Sequence, residues 1–411
     1  MLWKMAWRNL WRNKRRSVIT CFSVAFGFFL SLSLTGMAED SYRRTVDTGA
    51  KMGLGHVTVQ PSGYLEKPGL DRWITGAGAT RALAQAQPEV KGAVVRIMGQ
   101  AMFGNGGRTR GGQFIAIDPA HETADSNLFI KSIVEGEPLG SADERGGLIG
   151  VKMAERLQVG LGKKVVFMTT DAKGEVVSDV VRVKGIFKTG VAEVDGGVVV
   201  LPLGKVREAL GYGPDDASLV AVVLHDQRHS AAVQARLQAA GVSPGAEVLT
   251  WRETQADLVG FLAVDRATNR LFQLLVGLLI AAGVLNTIYM SVLERRREFG
   301  VMLAVGMGPG RLFWLVIIES MFIGAIGVVV GGLGTIPWYR YMVNTGIDMS
   351  SMMAEGMDIG GIVIDPVMRM SVPPQLLVAI TAILFGLTIA AGLFPAWIAG
   401  RTPPVESIRL V

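Results

Sequence analysis

Cysteine is nearly absent: Cys21 is the single one among 411 residues. One thiol closes no intramolecular disulfide, so no covalent framework holds this chain. Charge is sparse as well. Asp, Glu, Lys and Arg make up 18% of the chain, where an ordinary soluble domain carries about 25%. A large soluble enzyme is therefore disfavoured. Histidine is scarce, with only His56, His121, His225 and His229. His225 and His229 have the i,i+4 spacing of metal ligands but no evident third ligand, so they read as a solvated pair and no metal site is expected. The sequence has no G-x-S-x-G elbow, no H-E-x-x-H and no G-x-x-x-x-G-K-S/T phosphate loop. It holds neither a hydrolase signature nor a nucleotide site of the phosphate-loop kind. Any work it does on a substrate must be driven from elsewhere.

Apolar sequence is what the chain has in quantity, at 50% of residues. Four stretches, 17–38, 271–293, 312–338 and 376–399, carry no charge or a single one. About 20 residues of helix cross a bilayer core, so all four qualify as spans. The intervening 39–270 is long enough for one or two independent cores. Lysine and arginine set the orientation. Residues 1–16 hold Lys4, Arg8, Arg12, Lys14, Arg15 and Arg16; the 294–311 loop holds Arg295, Arg296, Arg297 and Arg311; the 400–411 tail holds Arg401 and Arg409. The 339–375 loop has only Arg340 and Arg369 against Asp348, Glu355, Asp358 and Asp365. Both termini and the 294–311 loop are thus expected to be cytoplasmic, with 39–270 and 339–375 outside. The net charge of +6 sits in clusters flanking spans rather than in a groove, so no nucleic-acid partner is expected. The first span ends in Gly36-Met37-Ala38, a small-x-small pattern, but its apolar run is too long for a signal peptide and it reads as uncleaved. Trp3, Trp7 and Trp11 recur beside Lys4, Arg8 and Arg12, the pattern of an amphipathic helix in the headgroup region.

Residues 39–270 read as mixed α/β. Valine- and isoleucine-rich runs at 56–60, 93–98, 113–118, 164–169, 176–187, 197–202 and 219–224 predict strands. Helical patterns fit 77–87, 151–158, 203–210, 229–240 and 252–270. The glycine-rich Gly104–Gly112 leads into a strand rather than a helix, so it reads as a hairpin tip and not a phosphate cradle. The pattern from 252 runs into the second span, which predicts one continuous helix over 252–293. The first span is expected to continue outward through 39–48. The two would be stalks between membrane and outer domain. The fold class is thus an α-helical membrane protein with four transmembrane helices and a large mixed α/β domain between the first and second.

Three features inside or between the spans stand out. Glu319 lies in the third span, where a carboxyl group costs on the order of 2.5–3.5 kcal/mol at full depth. A proton relay would need further acids deeper in the spans, so Glu319 reads as a packing or coupling residue. Gly327 and Gly331, spaced G-x-x-x-G, permit close helix approach. Phe22, Phe26, Phe28 and Phe29 in the first span suit either bulk lipid or a lateral cavity for acyl chains. Finally, the loop Glu294-Arg-Arg-Arg-Glu-Phe-Gly-Val-Met-Leu-Ala-Val-Gly306 predicts a short amphipathic helix. Phe299, Met302, Leu303 and Val305 would form an apolar patch rimmed by charge, as in a docking site.

That loop resembles the E-R-x-R-E-I/F-G-x-x-x-A-L/V-G signature of FtsX-like, MacB-type ABC transporter permeases. Ala6-Trp-Arg-Asn-Leu-Trp-Arg-Asn-Lys-Arg-Arg-Ser17 is similar to the family's segment before the first span. Glu319 after Val-Ile-Ile matches its acidic third-span position, and Phe394-Pro-Ala-Trp397 with Pro403-Pro-Val-Glu-Ser-Ile-Arg409 looks like its closing pattern. Gly53–Gln60 followed by Gly63-Tyr-Leu65 is similar to permeases grouped with LolE, so within the family the chain is placed nearest the lipoprotein-releasing, LolC/LolE-like permeases. The resemblance implies a permease of the bacterial inner membrane, not itself an enzyme. It would work as a dimer with a second copy or a paralogue, on two separate cytoplasmic ATPase subunits that bind ATP and magnesium. The loop would be the coupling helix, with Glu294, Arg295, Arg296, Arg297, Glu298, Phe299, Gly300, Leu303 and Gly306 in it. Motion would pass to the periplasmic domain, and a lipoprotein or other lipidated substrate, with a periplasmic chaperone or adaptor, would be handled there. Peptide or drug efflux and regulation of a cell-wall hydrolase are the family's other activities. A stand-alone ion-coupled transporter would need no ATPase.

Overall fold

A computed structural model describes residues 2–142, 144–349, 358–359, 362–363 and 367–401. The closing Pro403–Arg409 pattern, Glu355 and Asp365 lie outside these residues. The chain divides into a helical unit, 1–41 with 263–348 and 367–411, and a head, 42–262 with 349–366.

The first helix, α1 (Leu2–Leu10), is amphipathic and buries Ala6 and Leu10. A turn at 11–13 separates it from α2 (Lys14–Gly49), which contains the first apolar stretch and continues beyond it. The helix then widens into one π-type turn, Ala50–Leu54, and ends at Gly55 with φ +78°, a conformation that favours glycine.

Among the described residues the head's main sheet has ten strands. Its strands are β1 (Val57–Pro61), β2 (Val90–Asn105), β3 (Arg108–Ile117), β4 (Ile133–Gly136), β5 (Gly146–Gly150), β6 (Lys164–Thr170), β7 (Val176–Phe187), β8 (Val198–Pro202), β9 (Leu219–Leu224) and β10 (Ala246–Thr250). The order is β10-β1-β9-β2-β3-β8-β5-β7-β4, with β6 pairing to β2 and β7. Pairing is antiparallel except for β3 with β8 and β5 with β7. Short helices cover the sheet: α3 (Ala77–Gln85), α4 (Leu128–Lys131), α5 (Val151–Leu157), α6 (Ala192–Gly197), α7 (Leu203–Leu210), α8 (Ser230–Ala240) and α9 (Trp251–Thr254). Strand alternation builds a core on each face. Phe114, Ala116, Val199 and Leu201 pack with Met153, Val206 and Leu237 on one side. Ile115, Ile117, Val198 and Val200 pack with Phe129 and Val194 on the other.

All seven strand runs and the helices at 77–87, 151–158, 203–210 and 229–240 have counterparts here, with ends moved by a few residues. The β2–β3 hairpin pairs down to Asn105 with Arg108. Gly106 and Gly107, at φ +54° and +94°, make its two-residue tip, the geometry of a primed hairpin turn. The expected continuous helix over 252–293 is broken. Thr250 and Glu253 form a capping box that starts α9, and Gln255 then leaves helical geometry at φ −126°, ψ 60°. A new helix, α10 (Ala256–Glu294), begins after it and runs 39 residues, roughly 60 Å.

The helical unit is completed by α11 (Arg296–Ala304), α12 (Pro309–Asn344) and α13 (Pro374–Gly400). α12 extends past the expected end of the third span at 338. Two minimal strand pairs join Ile347–Asp348 to Val367–Met368 and Asp358–Ile359 to Ile362–Val363. Among the described residues four helices, those of the four apolar stretches, are long and apolar enough to cross a membrane. Gly327 and Gly331 seat α12 directly on α2. A Cβ on Gly331 would lie 2.6 Å from the Ala25 carbonyl oxygen, and one on Gly327 2.6 Å from the Val24 Cβ.

Candidate functional site

The arginine-rich loop between α10 and α12 folds as the sequence predicts, into one short helix, but it faces differently. α10 ends at Glu294, and Arg295 takes a non-helical φ of −104°, ψ 12°, before α11 restarts the chain. Gly306, at φ +98°, terminates α11. The Met307 N–H donates to the Met302 carbonyl at 2.9 Å and the Gly306 N–H to that of Leu303 at 3.1 Å. This pair of bonds is a Schellman closure, which requires a left-handed residue at the glycine position.

The loop's charges are not free. Arg16 grips Glu294 with two parallel bonds of 2.9 and 2.8 Å, the strong geometry for a guanidinium and a carboxylate. Asn13 donates to the same carboxylate at 3.4 Å. Arg12 pairs with Glu298. The Arg12 guanidinium beside it holds the Glu298 carboxyl below the usual range, and Arg12 is raised in turn by that hydrogen bond. Arg295 turns inward and is only 7% exposed; its Nη1 donates to Glu319 at 3.2 Å and its Nε to Glu298 at 3.4 Å. Its guanidinium also lies 5.0 Å from the Phe299 ring centre, a cation–π contact. Three acids thus meet three arginines drawn from the N-terminal segment and from the loop itself. Glu319, expected as a packing or coupling residue, is buried and bridged to the loop.

The expected apolar docking patch needs correction. Phe299 is fully buried, Gly300 is buried, and Met302 and Leu303 pack into the core of the helical unit. Helical spacing explains it: Phe299, Met302 and Leu303 share one face at i, i+3 and i+4, and that face meets the core. The outward surface is Val301, Ala304 and Val305, with Val305 84% exposed, beside exposed Arg297. Arg296 is half-buried, and its Nε has no partner among the described residues.

Arg12, Asn13 and Arg16 were the residues not singled out as partners of the loop. Their signal was the i,i+4 spacing of Arg12 and Arg16, matched by Glu294 and Glu298 at the same spacing. The tryptophan stripe packs as well as faces outward: Trp3 and Trp7 set ring edges on Phe322 of α12 at 5.5 and 5.2 Å, while all three indoles stay about half exposed. Phe22 and Phe26 are exposed and stack in a ladder with Phe29, which continues to Trp338. In the single chain these rings form an open face rather than an enclosed cavity. Phe28 is buried. In the head, His225 and His229 are both exposed. Among the described residues no cluster has the makings of a metal site.

Residues 17–240 match the MacB-like periplasmic core domain, and residues 270–404 match the FtsX-like permease C-terminal region. The lipoprotein-releasing system transmembrane protein LolC of Xylella fastidiosa strain Temecula1 is 25% identical over 342 residues, 80% of each chain. LolC of Neisseria meningitidis is 24% identical over 344 residues, 76% of each chain. The ABC transporter permease YtrF of Bacillus subtilis is 30% identical over 129 residues, 31% of this chain and 29% of that one. Among solved structures, the extracellular domain of YknZ aligns with 47% of this chain and 98% of its own at 20% identity and a TM-score of 0.33. The periplasmic region of MacB from Actinobacillus actinomycetemcomitans aligns with 50% and 93% at 11% identity and 0.36. The chain is a member of the FtsX-like, MacB-type family of ABC transporter permeases.

Proposed function

We propose that this permease releases lipoproteins, or molecules with a similar lipid anchor, from the outer leaflet of the bacterial inner membrane. Its termini and the α10–α12 loop would be cytoplasmic and its head periplasmic. A separate ATPase pair would supply the energy from ATP and magnesium, and a second copy or a paralogue would complete the permease. A periplasmic chaperone or adaptor would receive the substrate. The observation that carries the coupling half of this reading is α11: a capped helix whose inner face is locked into the bundle and whose outer face is Val301, Ala304 and Val305. An ATPase groove closing on that face would move α11 as a body. Arg295 would pass the displacement to Glu319 in α12, and Glu294 and Glu298 would pass it to Arg16 and Arg12 at the root of α2. Both α2 and α10 then continue as helix into head residues. The LolC relatives, together with the open ladder of Phe22, Phe26 and Phe29, support an acylated substrate.

The test uses the full chain with its partner ATPase in proteoliposomes loaded with a fluorescent triacylated lipoprotein. ATP is expected to release the label to a soluble acceptor, and Val305→Asp is expected to abolish both the stimulated ATPase activity and the release. Release without ATPase, or normal coupling in Val305→Asp, would overturn the reading. ATP-dependent activation of a bound hydrolase without release would favour a regulator instead, and release of peptide or drug alone would favour efflux.

A further inference from the structure

The head contains a cavity of about 570 Å³, within the usual range for small-molecule sites. It has nothing to do with the coupling loop. One wall is the π-type turn that ends α2, with Gly49, Met52, Gly53 and Leu54; another is the α9–α10 junction, residues 253–258. The floor is apolar and comes from the sheet and its small helices: Met98, Ile115, Phe129, Val194 and Val198. Methionines suit a floor that must adapt to different ligand shapes.

Three observations narrow the ligand. The first is charge. Glu193, Glu253 and Asp257 line the cavity, and among the described residues no lysine or arginine does, although the chain as a whole carries +6. Lys51 and Arg252 adjoin lining residues in sequence but are not themselves part of the lining. Glu253 is committed to the cap of α9 and to Gln234, which leaves Glu193 and Asp257 for a ligand. The second is Gln255. It lines the cavity at the helix break, and its Nε2 and Oε1 are both buried with no hydrogen-bond partner among the described residues. A buried amide without partners carries a standing desolvation cost that a ligand with a donor or acceptor would relieve. The third is that the walls are held in place. Arg96, 1% exposed, donates to the Gly53 carbonyl at 2.6 Å and clamps Glu122 with bonds of 2.9 and 2.6 Å. Asn127 donates to Glu122 at 2.6 Å and accepts from the Phe129 N–H at 2.8 Å. One buried network therefore fixes the α2 wall and the Phe129 floor together.

We propose that this cavity binds a small amphiphilic cation, with its apolar body against Met52, Met98 and Phe129 and its ammonium group toward the exposed carboxylates of Glu193 and Asp257. Because the two walls belong to the ends of α2 and α10, the ligand ties both helix ends to the sheet.

The probes are an eight-carbon alkyl diazirine ending in trimethylammonium and the same alkyl diazirine ending in carboxylate. The full chain in nanodiscs is irradiated with each, and crosslinks are mapped by mass spectrometry. The ammonium probe is expected to label peptides containing residues 49–54, 98 and 253–258 saturably, about tenfold more than the carboxylate probe, a ratio worth two partly shielded charge pairs. Glu193→Gln with Asp257→Asn is expected to bring the two probes within about threefold of each other. Leu65→Trp, at a lining residue that is 41% exposed, is expected to block labelling by both while leaving the melting temperature unchanged. Equal labelling by the two probes in the natural chain overturns the proposal, as does labelling that rises linearly with probe concentration. So does the absence of any cavity label, which would mean that water alone satisfies Gln255. Should the double variant fail to fold, the ammonium-to-carboxylate ratio of the natural chain decides the matter alone.

Discussion

Single residues carry two quite different kinds of charge here. Glu319 and Arg295 are buried in the bundle, and each is the other's remedy. Removing one partner of a buried pair leaves an uncompensated charge, at a cost of about 3–5 kcal/mol, whereas replacing both by apolar groups is often neutral. Glu319→Ala is therefore expected to lower the melting temperature of the detergent-solubilised protein sharply, and Arg295→Met with Glu319→Leu to restore most of it. A double variant as unstable as the single one would show that the pair does more than neutralise itself. Asp226 in the head is the opposite case, at the surface. It caps the turn before α8, accepting from the Arg228 N–H at 2.9 Å, and the Arg228 guanidinium beside it pulls its carboxyl down to about 2. A depressed carboxyl stabilises the fold above its ordinary value and loses that contribution as pH falls through the depressed one. Asp226→Asn keeps a capping oxygen but loses the ion pair with Arg228, and is expected to cost about 1 kcal/mol or less at neutral pH. The difference from the natural chain should shrink between roughly pH 4 and pH 2, the interval between an ordinary aspartate and this one. Parallel melting curves across that range would count against this account of Asp226. Glu319 was visible in the sequence as an anomaly, a lone acid in an apolar run. Its partner was not, because Arg295 was one of three adjacent arginines and only the helix break at that residue turns it inward.

Elements were legible where pattern and length agreed. The four apolar stretches each lie within one long helix. The valine-rich strands emerged because alternation along them feeds two cores. β4, β5 and β10 were missed for chemical reasons: Gly146-Gly-Leu-Ile-Gly150 has too few side chains to show alternation, and Glu135 and Glu247 interrupt the other two. The break at Gln255 is not legible because no proline or glycine marks it; a capping box that starts one four-residue helix, followed by a residue that leaves helical geometry, is a matter of side-chain hydrogen bonds and local backbone, not of breakers. The facing of α11 was misjudged for a related reason. An amphipathic pattern reports which residues share a face, but not whether that face meets a partner or the chain's own core. The glycine seam rests on spacing alone: Gly327 and Gly331 lie against α2, and only small residues let two backbones approach this closely. Gly331→Leu is expected to push α12 off α2 and to lower thermal stability by several degrees. Gly334→Leu, at a position with open space around it, should be tolerated. Equal effects at the two sites would mean that α12 does not rest on α2 through this seam.

At the scale of the whole molecule, the question is how an event at α11 becomes an event in the head. The ion pairs around α11 are exposed or half-buried, apart from Arg295 with Glu319. Exposed pairs hold little energy individually, of order 1 kcal/mol or less, so they can register a displacement but not store its work. Work must travel through something stiff. α10 is the candidate: 39 residues of hydrogen-bonded backbone that begin in head residues and end at Glu294, with only Arg295 between it and α11. Thr268 lies on its exposed side, and its hydroxyl donates to the Val264 carbonyl at 3.0 Å. Proline at this position removes a backbone donor and clashes with the preceding turn, at about 3 kcal/mol or more. The same hydroxyl is lost without backbone damage in Thr268→Ala. Thr268→Pro is therefore expected to leave ATPase docking and basal hydrolysis intact, because α11 is untouched, while substrate release falls by at least tenfold. Thr268→Ala should behave as the natural chain. If the proline variant releases substrate normally, the stiffness of α10 is not what links hydrolysis to release, and α2 alone must carry the motion. If it loses ATPase stimulation as well, the head feeds back on α11, and the linkage runs both ways along the same helix, as a shared conformational equilibrium requires.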